Sequence, residues 1–478
     1  MLTSLSAIVP MTCVAAAAVA AMIADAFREP GERMPIAPLG LIGMLGAAIA
    51  TAVLWNQNAT SFDVVVADNF GLFVTAVILI SGALSLALSV PGVRRTGVPA
   101  GEYYTLLLFS TAGMILLATA VDLLVLFLAL EVLSLGVYVL TGIRRDDPAA
   151  VEGAFKYFLL GAMASAFFLY GIALTYGLTG TTRLEEIGQL MARQGMSPTL
   201  LQLVAVGLLL MGFAFKVSAV PFHMWTPDAY EGAMPAVAGF MSTGVKAAAM
   251  AAFVRVFLSG FAPLVTNWGP LVWGIAAATM ILGTVMGVVQ TSVKRMLAYS
   301  SIAHAGYLLV ALLAGNEVGK SAILFYLLVY AVTNMGAFGV VAMMDSGSES
   351  NDRIHNYAGL WHAHPRLAGA MTLFLLSLGG FPPLGGFIAK WYVFSGAISA
   401  GYVWLAIIAV LTSVISVFFY LRVIVMMYMT RPAEAVSVPA IPLPGVIALA
   451  TAAIAVVYLG ILPARVMEWA SRSIATIF

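Results

Sequence analysis

The stretch Leu208–Arg255 reads LLLMGFAFKVSAVPFHMWTPDAYEGAMPAVAGFMSTGVKAAAMAAFVR, two apolar runs that each carry one lysine and are joined by a polar segment rich in proline. Lys216 sits among Phe213, Phe215 and Val217, and Lys246 among Val245, Ala247 and Ala248. If both runs cross a bilayer, both ammonium groups lie deep in hydrocarbon, where each costs roughly 2.5–3.5 kcal/mol on insertion scales. Two such costs in succession point to a use. The use that suits an amine is holding and releasing a proton.

Outward from this stretch the chain keeps the same character. It has 478 residues, 62% hydrophobic and 9% charged, where a soluble domain has about 25% charged residues. Apolar runs of about 20 residues recur between short polar joints, the pattern of an all-α polytopic membrane protein, not of a barrel with its ten-residue alternation. Spans are expected near 5–25, 36–55, 70–90, 103–119, 121–142, 152–177, 200–222, 233–259, 269–290, 295–314, 319–344, 366–398, 402–429 and 441–462, about fourteen in all. Ala24-Asp25-Ala26 resembles a signal-peptide cleavage site. The preceding segment lacks a basic start, however, and its apolar stretch from Leu5 to Ile23 outruns a signal core, so it reads as the first span.

Odd-numbered joints hold Arg28, Arg33, Arg94, Arg95, Arg144, Arg145, Lys294, Arg295, Arg353, Arg366 and Arg431, which is eleven cations. Even joints and the C-terminal tail hold Arg183, Arg193, Lys320, Arg465 and Arg472, which is five. The positive-inside rule then places the odd joints in the cytoplasm and both termini outside. A net charge of +1 gives no hint of nucleic acid, and a single cysteine, Cys13, excludes a disulfide framework, cysteine-held iron–sulfur clusters and thiolate zinc. Any redox chemistry belongs to partners. His355, His362 and His364 fall in a polar joint and read as solvated or capping residues, not metal ligands. A haem would want paired histidines inside the spans, where only His304 lies.

A faint repeat runs through the chain. Lys156-Tyr157-Phe158-Leu159-Leu160 in the sixth span answers Leu324-Phe325-Tyr326-Leu327-Leu328 in the eleventh, and Phe215 to Trp225 in the seventh answers Phe381 to Trp391 in the twelfth. Pro221 interrupts one and Pro382-Pro383 the other. Paired breaks in corresponding spans point to a transporter with its site near the bilayer midplane, and an offset of five spans inverts one half relative to the other. Glycines Gly379, Gly380, Gly385 and Gly386 loosen the second break further. The expected division is a three-helix segment over 1–100, a first repeat over 101–260, an inverted second repeat over 261–430 and a C-terminal helix over 431–478.

Of the six lysines, Lys216, Lys246 and Lys390 fall well inside spans, Lys156 about a turn into one, and Lys294 and Lys320 at ends, while most of the sixteen arginines sit at joints. A dry site can strip a lysine of its proton near neutral pH, whereas arginine stays charged. Glu131, the one acid in mid-span, is the natural counter-ion for one of these lysines. A carboxylate within about 4–6 Å strengthens a lysine's hold on its proton and weakens it again on leaving, so such a pair is a proton switch. Expelling one proton against about 150–200 mV requires about 3.5–4.6 kcal/mol. Loss of one ion pair together with desolvation covers that. A fixed structural pair is the plainer alternative, but it explains neither Lys246 nor Lys390. Lys156 either joins the set or snorkels to the interface. His304, one turn after Ser300 and Ser301, is either a relay between lysines or a hydrogen-bonded structural histidine.

EGAFKYFLLGAMASAFFLYGIALTYGLTG (Glu152 to Gly180), FKVSAVPFHMWTPDAYEGAMP (Phe215 to Pro235), VKRMLAYSSIAHAGYL (Val293 to Leu308) and GGFPPLGGFIAKW (Gly379 to Trp391) resemble the antiporter-like membrane subunits of proton-pumping NADH:quinone oxidoreductase, respiratory complex I. With the fourteen-span layout, the resemblance covers almost the whole chain. It implies proton transfer through a glutamate on the fifth span paired with a lysine on a broken seventh, a central lysine on the eighth and a terminal charge on the broken twelfth, here Glu131, Lys216, Lys246 and Lys390. A lysine at 390, not the glutamate of the M type, and the lack of a long lateral helix of the L type lean towards the N type. The resemblance further implies no cofactor in this chain, with FMN, iron–sulfur clusters and quinone in partner subunits. Relatives in multi-subunit sodium/proton antiporters and membrane-bound hydrogenases share the central motifs and are the alternative within the class. A passive scaffold would not need the lysines, and a carrier of small solutes would offer a pocket of more varied polar groups.

Overall fold

Proline and glycine decide which apolar runs become one helix and which become two. The computed structural model describes residues 3–27, 36–193, 198–345, 352–431 and 438–477. In chain order its helices are α1 (Leu5–Ala26) and α2 (Ile36–Leu54), then, after a small antiparallel hairpin of β1 (Ala59–Ser61) and β2 (Val65–Ala67), α3 (Asn69–Thr96), α4 (Ala100–Thr119), α5 (Leu123–Thr141) and α6 (Pro148–Thr179). Next come the short α7 (Leu184–Arg193), α8 (Leu200–Lys216), α9 (Trp225–Gly232), α10 (Pro235–Gly260), α11 (Ala262–Val288), α12 (Val293–Ala314) and α13 (Glu317–Met344). The chain closes with α14 (Pro365–Gly379), α15 (Gly385–Ser399), α16 (Val403–Met429), α17 (Leu443–Ile461) and α18 (Ala464–Ile474).

Twelve of these helices are long and apolar enough to cross a membrane. The two remaining crossings are split, α8 with α9 and α14 with α15: the expected span 366–398 is a pair of half-helices, whereas 200–222 holds only α8, and its second half, α9, lies in the proline-rich segment expected as a polar joint. The chain is thus a multi-pass, all-α membrane protein with two repeats, each containing a broken helix. The halves match in packing as well: α6 lies along both α8 and α9, and α13 along both α14 and α15.

The joints hold more structure than expected. Gly180–Thr199, read as a plain joint, contains α7, whose Leu184, Ile187 and Met191 are buried at helical spacing. Arg28 and Arg33 lie outside the described residues. Several cations assigned to the odd joints cap helix C-termini, where carbonyls lack intrahelical donors. Arg144 donates to Gly232 O at 3.0 Å, Arg95 to Ala342 O at 3.0 Å, and Lys294 to Glu231 O. Lys294, expected merely at a span end, is therefore buried at 8% exposure.

α10, α12 and α13 form the centre, with 100%, 100% and 94% of their apolar windows buried, while α1, α2, α6 and α17 are about one-third buried. The central lysine is thus on a helix sealed from lipid. At the second break, Gly380 ends α14 in the left-handed region at φ 87°, which glycine adopts without strain. A Cβ on Gly386 would lie 1.8 Å from Ser377 O, so α15 can start against the end of α14 only because that position is glycine. Gly386→Val will force these half-helices apart, with a loss of about 1–3 kcal/mol or more. Thermal stability of the assembled complex checks this, with Gly207→Val, facing open space, as the tolerated control.

Candidate functional site

The three mid-span lysines all end up in the interior, with Lys216 and Lys246 each 2% and Lys390 4% exposed. Each sits where the helical backbone is irregular. Lys216 is the last residue of α8, not a mid-helix residue, and the chain leaves the helix through Ser218 at φ 65°. The negative end of the helix favours a cation there. The break itself is pinned by Thr279 Oγ1, which accepts from Val220 N at 2.9 Å. Lys246 follows a π-helical turn, Met241–Val245, a feature common at functional positions. Lys390, on α15, reaches back to the carbonyls that the second break sets free. It donates to Leu378 O at 2.8 Å and Gly379 O at 3.1 Å, and to Ser413 Oγ at 2.9 Å.

Glu131 and Lys216 share a polar pocket without touching. Lys216 Nζ donates to Ser134 Oγ at 2.7 Å, and its ammonium lies 5.5 Å and 5.4 Å from the Tyr138 and Tyr157 ring centres. The Ser165 hydroxyl instead donates to Glu131 Oε1 at 2.5 Å. A small cavity lined by Tyr138, Ser165, Phe168 and Lys216 lies beside the amine, and Ser165, the partner of Glu131, forms part of its wall. Among the described residues, no carboxylate lies within 4.0 Å of any of the three buried ammonium groups. Glu131 itself is half-buried on a face of α5 that also shows Leu128, Val132 and Leu135 to the outside.

From Lys246 a line of polar groups leads towards Lys390. Lys246 Nζ donates to Ser301 O at 2.7 Å and to Ser301 Oγ at 2.5 Å. The preceding residue, Ser300, shares a 2.5 Å hydrogen bond with Tyr420 OH, which lies 3.3 Å from His304 Nε2, and His304 Nδ1 meets Tyr326 OH at 2.5 Å. A narrow cavity then runs from His304 and Tyr326 to Ser377 and Leu378, whose carbonyl holds Lys390. His304 therefore stands between the two lysines. Lys156 does not join them. It pairs with Glu152 at 2.5 Å and Asp228 at 2.7 Å, and Asp228 and Glu231 also bind Arg295, each at 2.7 Å, in a half-exposed cluster.

Sequence reasoning overlooked Tyr326, Tyr420 and Ser413, which come from three turns of two distant helices. Ser301 had a signal in its place one turn before His304. Near the joints, a polar vestibule of about 390 Å³ is lined by Arg144, Asp147, Lys294, Asp345, Asp352 and Arg353. All six come from joints or helix ends on the odd-numbered side. Among the described residues no group of three His, Cys, Asp or Glu could hold a metal.

A family described as NADH:quinone oxidoreductase/Mrp antiporter, TM, matches residues 120–416, which include Glu131, Lys216, Lys246, His304 and Lys390. The chain belongs to the NADH:quinone oxidoreductase/Mrp antiporter family. Among members of this family, a protein of Trichlorobacter lovleyi named NADH-quinone oxidoreductase subunit N is 43% identical over 475 residues, 99% of this chain and 98% of that one. A protein of the same name from Chloroflexus aggregans is 42% identical, over 98% and 96% of the two chains. Among solved structures, a chain of respiratory complex I from Thermus thermophilus superposes with a TM-score of 0.83 at 34% identity, covering 97% of this chain and 99% of that one. A chain of the Mrp complex from Dietzia sp. has a TM-score of 0.85 at 22% identity, covering 100% and 98%, and shares the fold.

Proposed function

We propose that this chain is the N-type, proton-translocating membrane subunit of an NADH:quinone oxidoreductase in a bacterial inner membrane, with its odd joints cytoplasmic and both termini outside. It acts as a non-redox part of that enzyme: FMN, iron–sulfur clusters and quinone belong to its partners, and quinone reduction elsewhere supplies the energy. The observation that carries this reading is the set of three lysines buried without carboxylate partners among the described residues and joined in part by hydroxyl, imidazole and tyrosine groups. A buried charge without a counter-ion is a poor structural element, because it is desolvated without Coulombic return. A scaffold would replace it with leucine. A sodium/proton antiporter subunit is the second reading, since the family description also covers Mrp antiporters and the Mrp chain shares the fold.

In this mechanism protons enter from the cytoplasmic vestibule and load Lys246. They move laterally by water and His304 to Lys390, and leave to the outside through the second break. Glu131 and Lys216 report the state of the neighbouring subunit. Glu131 is half-exposed among outward leucines and valines, a position that lipid would not tolerate and a neighbouring chain would cover. When the neighbour drives Glu131 towards Lys216, the pair closes and relieves Lys246 of repulsion; when it opens, Lys246 is pushed to release. The charges titrate as a coupled set. The repeats over 101–260 and 261–430 would carry one half-channel each.

Lys216→Ala and Glu131→Ala will lower protons pumped per electron in sealed vesicles, with assembly and electron transfer retained. Coupling along such networks is worth about 0.5–2 kcal/mol, so a fall of roughly two- to thirtyfold in pumping rate is expected. Unchanged pumping per electron would remove the switch.

A further inference from the structure

Asn334 is fully buried on α13 and takes no part in the lysine line described above. Its Nδ2 donates to Ser242 Oγ at 2.7 Å and to Tyr330 OH at 3.1 Å. Ser242 directs its own hydrogen to Gly239 O at 2.7 Å and so can only accept from Asn334. That fixes the orientation of the amide, and it leaves Asn334 Oδ1 buried with no partner among the described residues. Buried carbonyls of this kind are satisfied by internal water.

The place of this atom is more telling than its isolation. α10 and α13 pack along one seam, and at its cytoplasmic end Pro235 and Val341 line the vestibule. Seven residues deeper on each helix, two turns or about 10 Å down the same face, stand Ser242 and Asn334. One turn deeper again are Lys246 and Tyr330; Lys246 donates to Ser301, and no hydrogen bond is closed between the Tyr330 and Ser301 hydroxyls. Between vestibule and amide the seam is shut: a Cβ on Gly239 would meet Met335 Sδ at 3.0 Å and Phe338 Cβ at 3.1 Å.

We propose that Asn334 is a positioning residue whose free carbonyl holds a relay water on the cytoplasmic route into Lys246, behind a closure formed by Gly239, Met335 and Phe338. A proton arriving on that water passes to the Tyr330 oxygen; when Tyr330 closes on Ser301, the Tyr330 hydrogen moves to Ser301 and the Ser301 hydrogen to the neutral amine of Lys246. Each hydroxyl ends with one hydrogen, the water is restored, and the positive charge rests on Lys246. Asn334 exchanges no proton itself.

This rests on the function proposed above, so the test carries Lys246→Met beside it. In sealed vesicles holding the assembled complex, Asn334→Leu, of similar size but without a carbonyl, will lower pumping per electron about fivefold while uncoupled quinone reduction is unchanged. Asn334→Ser, which keeps a hydroxyl and room for water, will recover at least about half of the wild-type ratio. If Asn334→Leu pumps normally while Lys246→Met does not, or if the Ser variant is as impaired as the Leu variant, the relay is wrong and the wider reading stands. If both Asn334→Leu and Lys246→Met pump normally, the wider reading falls. Should the Leu variant not assemble, Asn334→Ala in the same assay decides, since it removes the carbonyl without adding bulk.

Discussion

Lys246→Met will yield a complex that assembles and reduces quinone but pumps at least about tenfold more slowly, a barrier raised by at least about 1.4 kcal/mol. Methionine keeps the unbranched apolar stem of lysine, one atom shorter, and fills most of the same space. What it removes is the ammonium and its two hydrogen bonds to Ser301. On stability alone the change should be neutral or favourable, because lysine in the middle of a membrane helix carries a penalty of roughly 2.5–3.5 kcal/mol and, among the described residues, no carboxylate lies within 4.0 Å to offset it. The two readouts therefore move apart: proton transport is lost while the melting temperature holds or rises. A residue whose removal steadies the fold and stops transport is present for transport. Pumping at the normal ratio per electron, measured by pH-sensitive dye in sealed vesicles, would contradict this directly.

Arg255→Leu will do the reverse and cost the fold about 3–5 kcal/mol, the typical penalty for stranding one member of a buried ion pair. Arg255 meets Asp68 in a two-pronged contact, Nη1 to Oδ2 at 2.7 Å and Nη2 to Oδ1 at 2.9 Å, with side chains 4% and 5% exposed. The guanidinium also lies 5.1 Å from the Phe70 ring centre. Asp68 at the same time caps α3 by accepting from Gly71 N at 2.7 Å, so the pair ties the start of α3 to the last turns of α10. Removing the arginine leaves a carboxylate in a dry site. The double variant Arg255→Leu with Asp68→Asn keeps a capping side chain and leaves no charge behind, and it will recover most of the loss. A single-variant cost under about 1 kcal/mol, as for an exposed pair, would show that water reaches this contact.

Much of this architecture was legible from spacing alone. Hydrophobic run length marked the crossings, proline and glycine marked the two broken helices, and the energetic penalty of lysine in oil singled out Lys216, Lys246 and Lys390 before any contact was known. Composition is silent on partners. Nothing in the local sequence says that Lys216 would bond Ser134 while Glu131, three residues earlier on α5, bonds Ser165. Three residues apart, the serine and the acid lie about 60° apart on one face of α5, and only the packing of α8 beside one and α6 beside the other gives them different partners. Asn334 was hidden for a related reason. A lone amide in an apolar run becomes informative only when the facing helix is known to supply a hydroxyl that already donates elsewhere. Lys156 shows the opposite hazard, since its depth in the run was less decisive than Asp228, brought to it by α9.

The nest around Lys390 has one more property. A protonated amine has three hydrogens to give, and Leu378 O, Gly379 O and Ser413 Oγ are three places to receive them. A neutral amine has two hydrogens and a lone pair, and the serine hydroxyl can swing round to supply that lone pair while the backbone oxygens keep their hydrogens. Loaded and empty forms thus fit one cradle with a single hydroxyl rotation between them. On the route proposed above, this station would fill and drain with its surroundings at rest, leaving timing to be dictated from elsewhere in the assembly.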